Sequence, residues 1–383
     1  MVAPFRFEHL HTDPTGARRG RFHTPHGSVE TPIFMPVGTA ATVKAMTTGE
    51  LTTIGAQIIL ANTYHLFLRP GHGLIKKMGG VHRFMNWDGP LLTDSGGYQV
   101  FSLGDLRTLS EEGAAFRSNI DGSKQFLSPE IAIEIQEALG ADIIMQLDEC
   151  PPHPATREYL ARSLEMSLRW GKRCKEARHK EPDGKALFGI MQGGMDESLR
   201  RLSAAGLVDE GYDGYAMGGL SVGEPKEMMA EVLSYAPNLL PADKPRYLMG
   251  VGRPEDLVMA VQAGVDMFDC VMPTRNARNG QLFTRRGAFN IKRHENRESD
   301  QPVDPHCGCD TCRHYSRAYL RHLFINKEIL GHRLMTQHNL AFYLDLMNNM
   351  RQAIQKDQFG PFQRSFYQAQ AGEGSGAWGW RQD

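Results

Sequence analysis

No stretch of this 383-residue chain approaches the roughly 18 consecutive apolar residues that a membrane-spanning helix requires. The N-terminus, Met1-Val2-Ala3-Pro4-Phe5-Arg6, lacks the apolar core of a secretory signal, so a cytoplasmic location is expected. Net charge is also scarce. Forty-three basic residues against 44 acidic ones leave −1, so global charge selects no polyanionic partner. Of the four tryptophans, Trp378 and Trp380 fall in a Gly-rich tail, which leaves little for a sugar-stacking wall. No G-x-G-x-x-G opens a helix after the first apolar run, which argues against a dinucleotide-binding open sheet. Six cysteines are too few for a disulfide framework in so long a chain, and three of them crowd into Cys307-Gly308-Cys309-Asp310-Thr311-Cys312. In a reducing compartment that spacing points to a metal.

What the sequence has in quantity is short apolar runs that end in glycine or a polar residue. Eight of them recur: Pro32 to Gly38, Gln57 to Asn62, Leu91 to Asp94, Asp142 to Asp148, Leu187 to Gly193, Gly214 to Gly219, Arg246 to Gly250 and Val265 to Asp269. Continuous apolarity suits parallel strands buried on both faces. Helical segments lie between many of them. Ser128-Pro129-Glu130 reads as an N-cap and first turn, Ile131, Ile135, Ala138 and Leu139 form one apolar face, and Gly140 closes it. Pro254 to Ala263, stopped by Gly264, reads the same way. Eight strand–helix units over about 250 residues predict an α/β fold of the (β/α)₈ TIM-barrel type, with a zinc-binding subdomain inserted near the C-terminus.

Chemistry on such a barrel sits at the C-terminal strand ends. Those ends read Asn62, Asp94, Asp148, Gln192, Gly218-Gly219, Met249-Gly250 and Asp269. Leu91-Leu92-Thr93-Asp94-Ser95-Gly96-Gly97-Tyr98 stands out, because a core strand ends in a carboxylate and two glycines let the backbone approach whatever that acid faces. A single such acid could merely cap a helix; three carboxylates and two amides round one mouth make a polar pocket. Near the C-terminus, Cys307, Cys309 and Cys312 put three soft ligands within six residues. His306, His314, His322, His332 and His338 are candidate fourth ligands; His338 is favoured because it is expected to open the next apolar helix. Four protein ligands would close the site and make it structural. Between Thr274 and Arg297, seven basic residues face one acid, either a solvated face or a docking strip for a phosphate backbone.

These residues resemble the bacterial tRNA-guanine transglycosylase family over about residues 7 to 364. The marks are Asp94-Ser95-Gly96-Gly97-Tyr98-Gln99, Gly218-Gly219-Leu220, Phe268-Asp269-Cys270-Val271-Met272-Pro273-Thr274-Arg275, and the set Cys307, Cys309, Cys312 and His338. The resemblance implies exchange of guanine at the tRNA wobble position for 7-aminomethyl-7-deazaguanine, in queuosine biosynthesis. It implies Asp269 as nucleophile on the ribose and Asp94 as general acid/base. Asp148 would accept from the guanine ring N–H and amino group; Gln192 and the Gly219 N–H would serve the six-position oxygen. Ser95, Gly96 and Gly97 would floor the base site, with Tyr98 and Met249 sandwiching the purine. Leu220 and Glu224 would meet the aminomethyl ammonium, and Val222 would narrow the pocket to the small base. Ser221 departs from an alanine frequent in bacterial members. Gly250, Arg253, Thr274, Arg275, Asn276 and Arg278 would contact the anticodon stem-loop. One structural Zn²⁺ per subunit and a homodimer joined through the zinc region are implied as well.

The expected organisation is a barrel with an N-terminal cap over residues 1–295, a zinc subdomain over 296–340, a C-terminal helix completing the barrel over 341–370, and a flexible tail over 371–383. Rival readings are a glycoside hydrolase with paired carboxylates, a metal-dependent amidohydrolase using His9-Leu10-His11, and a non-catalytic RNA-binding protein. The first calls for tryptophans at the pocket, the second for both histidines at a strand end, and the third for no buried acids.

Overall fold

A computed structural model describes residues 5–102, 107–178 and 184–372; the expected flexible tail falls almost wholly outside the described residues. Eight parallel strands close into a barrel. They are β1 (Ile33–Met35, continuing in Val37–Gly38), β2 (Ile59–Ala61), β3 (Leu91–Thr93), β4 (Ile143–Met145), β5 (Ala186–Met191), β6 (Gly214–Met217), β7 (Arg246–Leu248) and β8 (Met267–Asp269). Pro36, which has no N–H to give to the ladder, splits β1. Its first half pairs with β8 (Met35 opposite Asp269) and its second half with β2 (Val37 opposite Leu60), and that closes the cylinder.

Side-chain alternation divides each strand between two cores. Ile33, Met35, Val37, Leu60, Leu92, Ile143, Met145, Phe188, Ile190, Ala216, Tyr247 and Met267 fill the interior. Their neighbours Phe34, Ile59, Leu91, Ile144, Leu187, Tyr215, Leu248 and Phe268 face the outer helices. Those helices follow the sequence signals closely. Ser128 Oγ accepts the Ile131 N–H at 3.3 Å to start helix Pro129–Leu139, and Gly140 ends it at φ 78°. Pro254–Gln262 forms as the second expected helix. The 27-residue helix Ile329–Gln355 covers β1, where Arg351 Nη1 donates to the Pro32 carbonyl at 2.7 Å. His338 therefore lies inside a long helix and does not open one, because the turns before it bury Gly331, Leu334 and Met335 against the metal subdomain. The same helix runs straight through position 341, joining the expected zinc and C-terminal segments.

Three antiparallel strands, Arg6–Thr12, Arg18–Thr24 and Gly27–Thr31, plug the N-terminal end of the barrel. Phe22 and Val29 enter the interior core from this cap. Two polar clasps fasten it, the first fully buried and the second with an exposed histidine. The Arg18 guanidinium pairs with Asp266 just before β8 and also donates to the Ala242 and Lys244 carbonyls, each at 2.8 Å. Asp142, just before β4, accepts from His26 Nδ1 at 2.7 Å and lies 3.3 Å from His82 Nε2. The two imidazoles stack at 3.7 Å and 13°, so their in-plane lone pairs cannot converge on one ion; this group is a hydrogen-bonded clasp. A second antiparallel sheet, Arg107–Leu109, Ala114–Arg117 and Lys124–Leu127, is inserted after β3 and was not expected from the sequence.

The Arg18 and Asp266 side chains are 5% and 0% exposed. Removing one partner leaves the other charge buried and uncompensated, so Arg18→Met should cost about 3–5 kcal/mol in urea unfolding, far more than removal of an exposed pair.

Candidate active site and metal centre

The alternation that builds the interior core also aims the site. Asn62, Asp94, Gln192, Gly218, Met249 and Asp269 each lie two residues beyond an interior residue of the same strand, so each continues the inward face. They meet in a cavity of about 310 Å³ at the C-terminal mouth. Asp148, Ser95, Tyr98, Gly219, Leu220, Val222, Gly250 and Arg275 complete most of its wall. Asp148 breaks the parity rule. The strand ends at Met145, the chain then leaves the ladder so that Leu147 turns outward, and the next side chain swings in.

Three buried carboxylates receive different donor sets. Asp94 accepts from Asn62 Nδ2 (2.5 Å), the Thr63 N–H (2.7 Å) and Gln99 Nε2 (3.0 Å). Burial pushes its carboxyl above the usual range against the pull of those donors. Asp269 accepts from the Tyr247 hydroxyl (2.5 Å) and the Gly250 N–H (2.9 Å). Its pKa is raised by burial, with the Asp94 charge adding to the lift. Asp148 accepts from Gln192 Nε2 (2.6 Å) and Ser95 Oγ (3.3 Å), and burial pushes it up to about 6. Gly97 allows this convergence, since a Cβ there would sit 2.7 Å from the Asp148 carbonyl oxygen.

Other expected site residues are placed less centrally. Tyr98 is 57% exposed and, like Met249, lines the mouth. Glu224 does not line the cavity; its carboxylate takes the backbone N–H groups of Ser221 (2.5 Å) and Val222 (2.8 Å), which holds their loop. Thr274 is buried, with its hydroxyl given to the Val271 carbonyl. Arg275 and Arg253 are exposed, whereas Arg278 is half-buried and donates to the Thr274 carbonyl at 2.9 Å. Sequence reasoning passed over Tyr247 and Gln99 as donors to the acids. The inward parity of Tyr247, two before Met249, was the available signal. Cys150 and Cys270 also line the cavity, and burial pushes their thiols up to about 12 and about 11, so both stay neutral.

The rival readings lose their residues. His9 and His11 sit on the N-terminal cap, bonded to Thr12 and Asp357. Trp87 and Trp170 are buried away from the cavity, donating to the Pro90 and Glu111 carbonyls.

In the second site, Cys307, Cys309, Cys312 and His338 bring their ligand atoms within 4.8 Å of one another, a group that could hold a metal ion. His338 Nδ1 lies 3.2 Å from Cys312 Sγ and 3.7 Å from Cys309 Sγ. Its Nε2 is 2.8 Å from the Phe283 carbonyl, which can only accept, so Nε2 carries the proton and Nδ1 presents a lone pair to the ligand cluster. None of the other four candidate histidines joins the group.

Protonation of Asp148 gives a stability prediction. Its folded pKa, about 6, lies above the ordinary carboxylate value of 3.8, so burying it is tolerated at low pH, grows costly as pH rises from the ordinary value to about 6, and costs its full amount above that. Asp148→Asn should therefore gain on wild type as pH rises from 4 to 8, by up to about 2–3 kcal/mol, when urea midpoints are compared across pH.

The family model for queuine tRNA-ribosyltransferase matches residues 13–372. A queuine tRNA-ribosyltransferase of Lysinibacillus sphaericus is 56% identical over 370 residues, covering 96% of this chain and 97% of the relative. That of Caldanaerobacter subterraneus is 57% identical over 366 residues (95% and 97%), and that of Halothermothrix orenii 58% over 361 (94% and 96%). Similarity of this depth over nearly the whole length of both chains shows that the protein belongs to the queuine tRNA-ribosyltransferase family.

Proposed function

We propose that this protein is a tRNA-guanine transglycosylase of queuosine biosynthesis, a pentosyltransferase that replaces wobble guanine with 7-aminomethyl-7-deazaguanine. The observation that carries the mechanism is the pair of buried acids, Asp94 and Asp269, held by separate donors in one cavity. Asp269 attacks the anomeric carbon as the bond to guanine N9 breaks, and the bonding electrons leave with the base. Cleavage develops oxocarbenium character, which a carboxylate beside the sugar both stabilises and captures. The Tyr247 hydroxyl and Gly250 N–H fix Asp269 Oδ1, which leaves Oδ2 as the attacking atom. Asp94, raised by burial, gives a proton to the departing base and takes one from the incoming base, whose N9 then displaces Asp269. Two inversions retain configuration.

Recognition follows from the same wall. Asp148 accepts from the ring N–H and amino group, and the second hydrogen of Gln192 Nε2, with the Gly219 N–H, serves the six-position oxygen. Tyr98 and Met249 cover the base plane, and Ser95, Gly96 and Gly97 floor it. Val222 limits the space beside the seven-position, and the Leu220 carbonyl meets the ammonium on a loop that Glu224 holds. Gly250, Arg253, Arg275, Asn276 and Arg278 line the approach for the anticodon stem-loop, with Thr274 buried in the helix Met272–Arg278 that carries the last three. The Cys₃His set suits one structural Zn²⁺, which when bound supplies a rigid tie between the loop and helix Ile329–Gln355. Exposed Tyr319, Ile325, Ile329 and Leu330 in that region fit a homodimer contact. No helix among the described residues is long and apolar enough to cross a membrane, in keeping with cytoplasmic work on tRNA.

Incubation with anticodon stem-loop RNA and radiolabelled guanine should incorporate label; none with wild type would overturn the reading. Asp269→Asn should abolish incorporation, and full-rate exchange by that variant would remove the nucleophile assignment. Cys309→Ser should lose the metal, read by elemental analysis, together with several kcal/mol of stability; unchanged zinc content would refute the ligand set.

A further inference from the structure

The Gly218–Gly219 peptide closes β6 and is gripped from behind by a buried cation. Arg200, in the first turn of helix Glu197–Glu210, is 0% exposed. Its Nε donates to the Gly194 carbonyl at 2.7 Å and its Nη2 to the Gly218 carbonyl at 3.0 Å. No carboxylate is hydrogen-bonded to it among the described residues, and Nη1 has no partner. Burial lowers its pKa only to about 10, so it remains a cation at neutral pH. A desolvated charge spent on two carbonyl oxygens is an expensive way to join two loops, since neutral donors could do that.

In a trans peptide the carbonyl and the following N–H point in opposite directions. Holding the Gly218 oxygen against Arg200 therefore turns the Gly219 N–H the other way. That side is the cavity, since Gly218, Gly219 and Cys150 line it and Arg200 does not. Gly219 adopts φ 66°, and a Cβ there would sit 2.7 Å from Gln192 Oε1, so the peptide fits closely between the arginine and the glutamine. A cation on the carbonyl also polarises the peptide and strengthens its N–H as a donor.

We infer that Arg200 is a positioning residue that locks the Gly218–Gly219 peptide with its N–H facing the cavity, and so sets recognition of the six-position oxygen of a purine. This deepens the base-exchange reading and rests on it. A residue that only glued the loops together would affect all bases alike. The lock acts on one acceptor.

The test compares guanine with 6-thioguanine, which keeps the ring N–H and amino group but offers sulfur, a poor acceptor, at the six-position. KM and kcat for each base are measured by exchange into anticodon stem-loop RNA with wild type, Arg200→Met and Arg200→Lys. Arg200→Met should raise KM for guanine about tenfold while KM for 6-thioguanine stays within about twofold. Arg200→Lys, which keeps the charge but reaches one carbonyl, should shift the ratio the same way by less, and it decides the matter if the methionine variant does not fold. Equal loss on both bases, or an unchanged ratio, would overturn the lock. Wild type that exchanges neither base would sink the transglycosylase reading instead; calorimetric binding of the two bases to the same proteins then still reports the ratio.

Discussion

Everything at the mouth of this barrel depends on the two-residue alternation of closed parallel strands. Because the strands pair from β1 through β8 and back to β1, no strand can slip by one residue without exchanging its inward and outward sets. The register that buries Leu60, Leu92, Ile190, Tyr247 and Met267 is therefore the register that points Asn62, Asp94, Gln192, Met249 and Asp269 into one space. Packing energy, distributed over the interior, holds carboxylates in positions that their own desolvation opposes.

That opposition is what gives the acids distinct properties. All three are buried, and burial alone would raise each of them. The donors separate them. Asp94 is cradled by two amide side chains and one backbone N–H, Asp269 by a phenol and a glycine N–H, and Asp148 by an amide and a serine. The opposite end of the barrel uses buried charge differently. There Arg18 with Asp266, and His26 with Asp142, satisfy one another and fasten the cap. The cavity carboxylates lie at one end and the self-satisfied pairs at the other.

The metal subdomain extends this logic outward. His338 is fixed in tautomer by the Phe283 carbonyl and in position by a helix whose other face covers β1. One helix thus belongs to both the barrel wall and the metal centre. The helix Met272–Arg278 after β8 packs against this same long helix.

Eight apolar runs, their polar ends and the Cys-x-Cys-x₂-Cys spacing were all legible in the sequence, because strand burial and ligand spacing are local properties of the chain. Asp94 and Asp269 were readable as the polar ends of those runs for the same reason. The length of helix Ile329–Gln355 was not, since its first turns are held by the metal subdomain and not by a cap of their own. The inserted sheet after β3 was missed because its strands are short and only partly buried. The inward turn of Asp148, the clasp of Tyr247 on Asp269, and the grip of Arg200 on Gly218 were decided by tertiary structure alone. Each joins groups from different strands or loops, and only closure of the barrel brings those within hydrogen-bond reach.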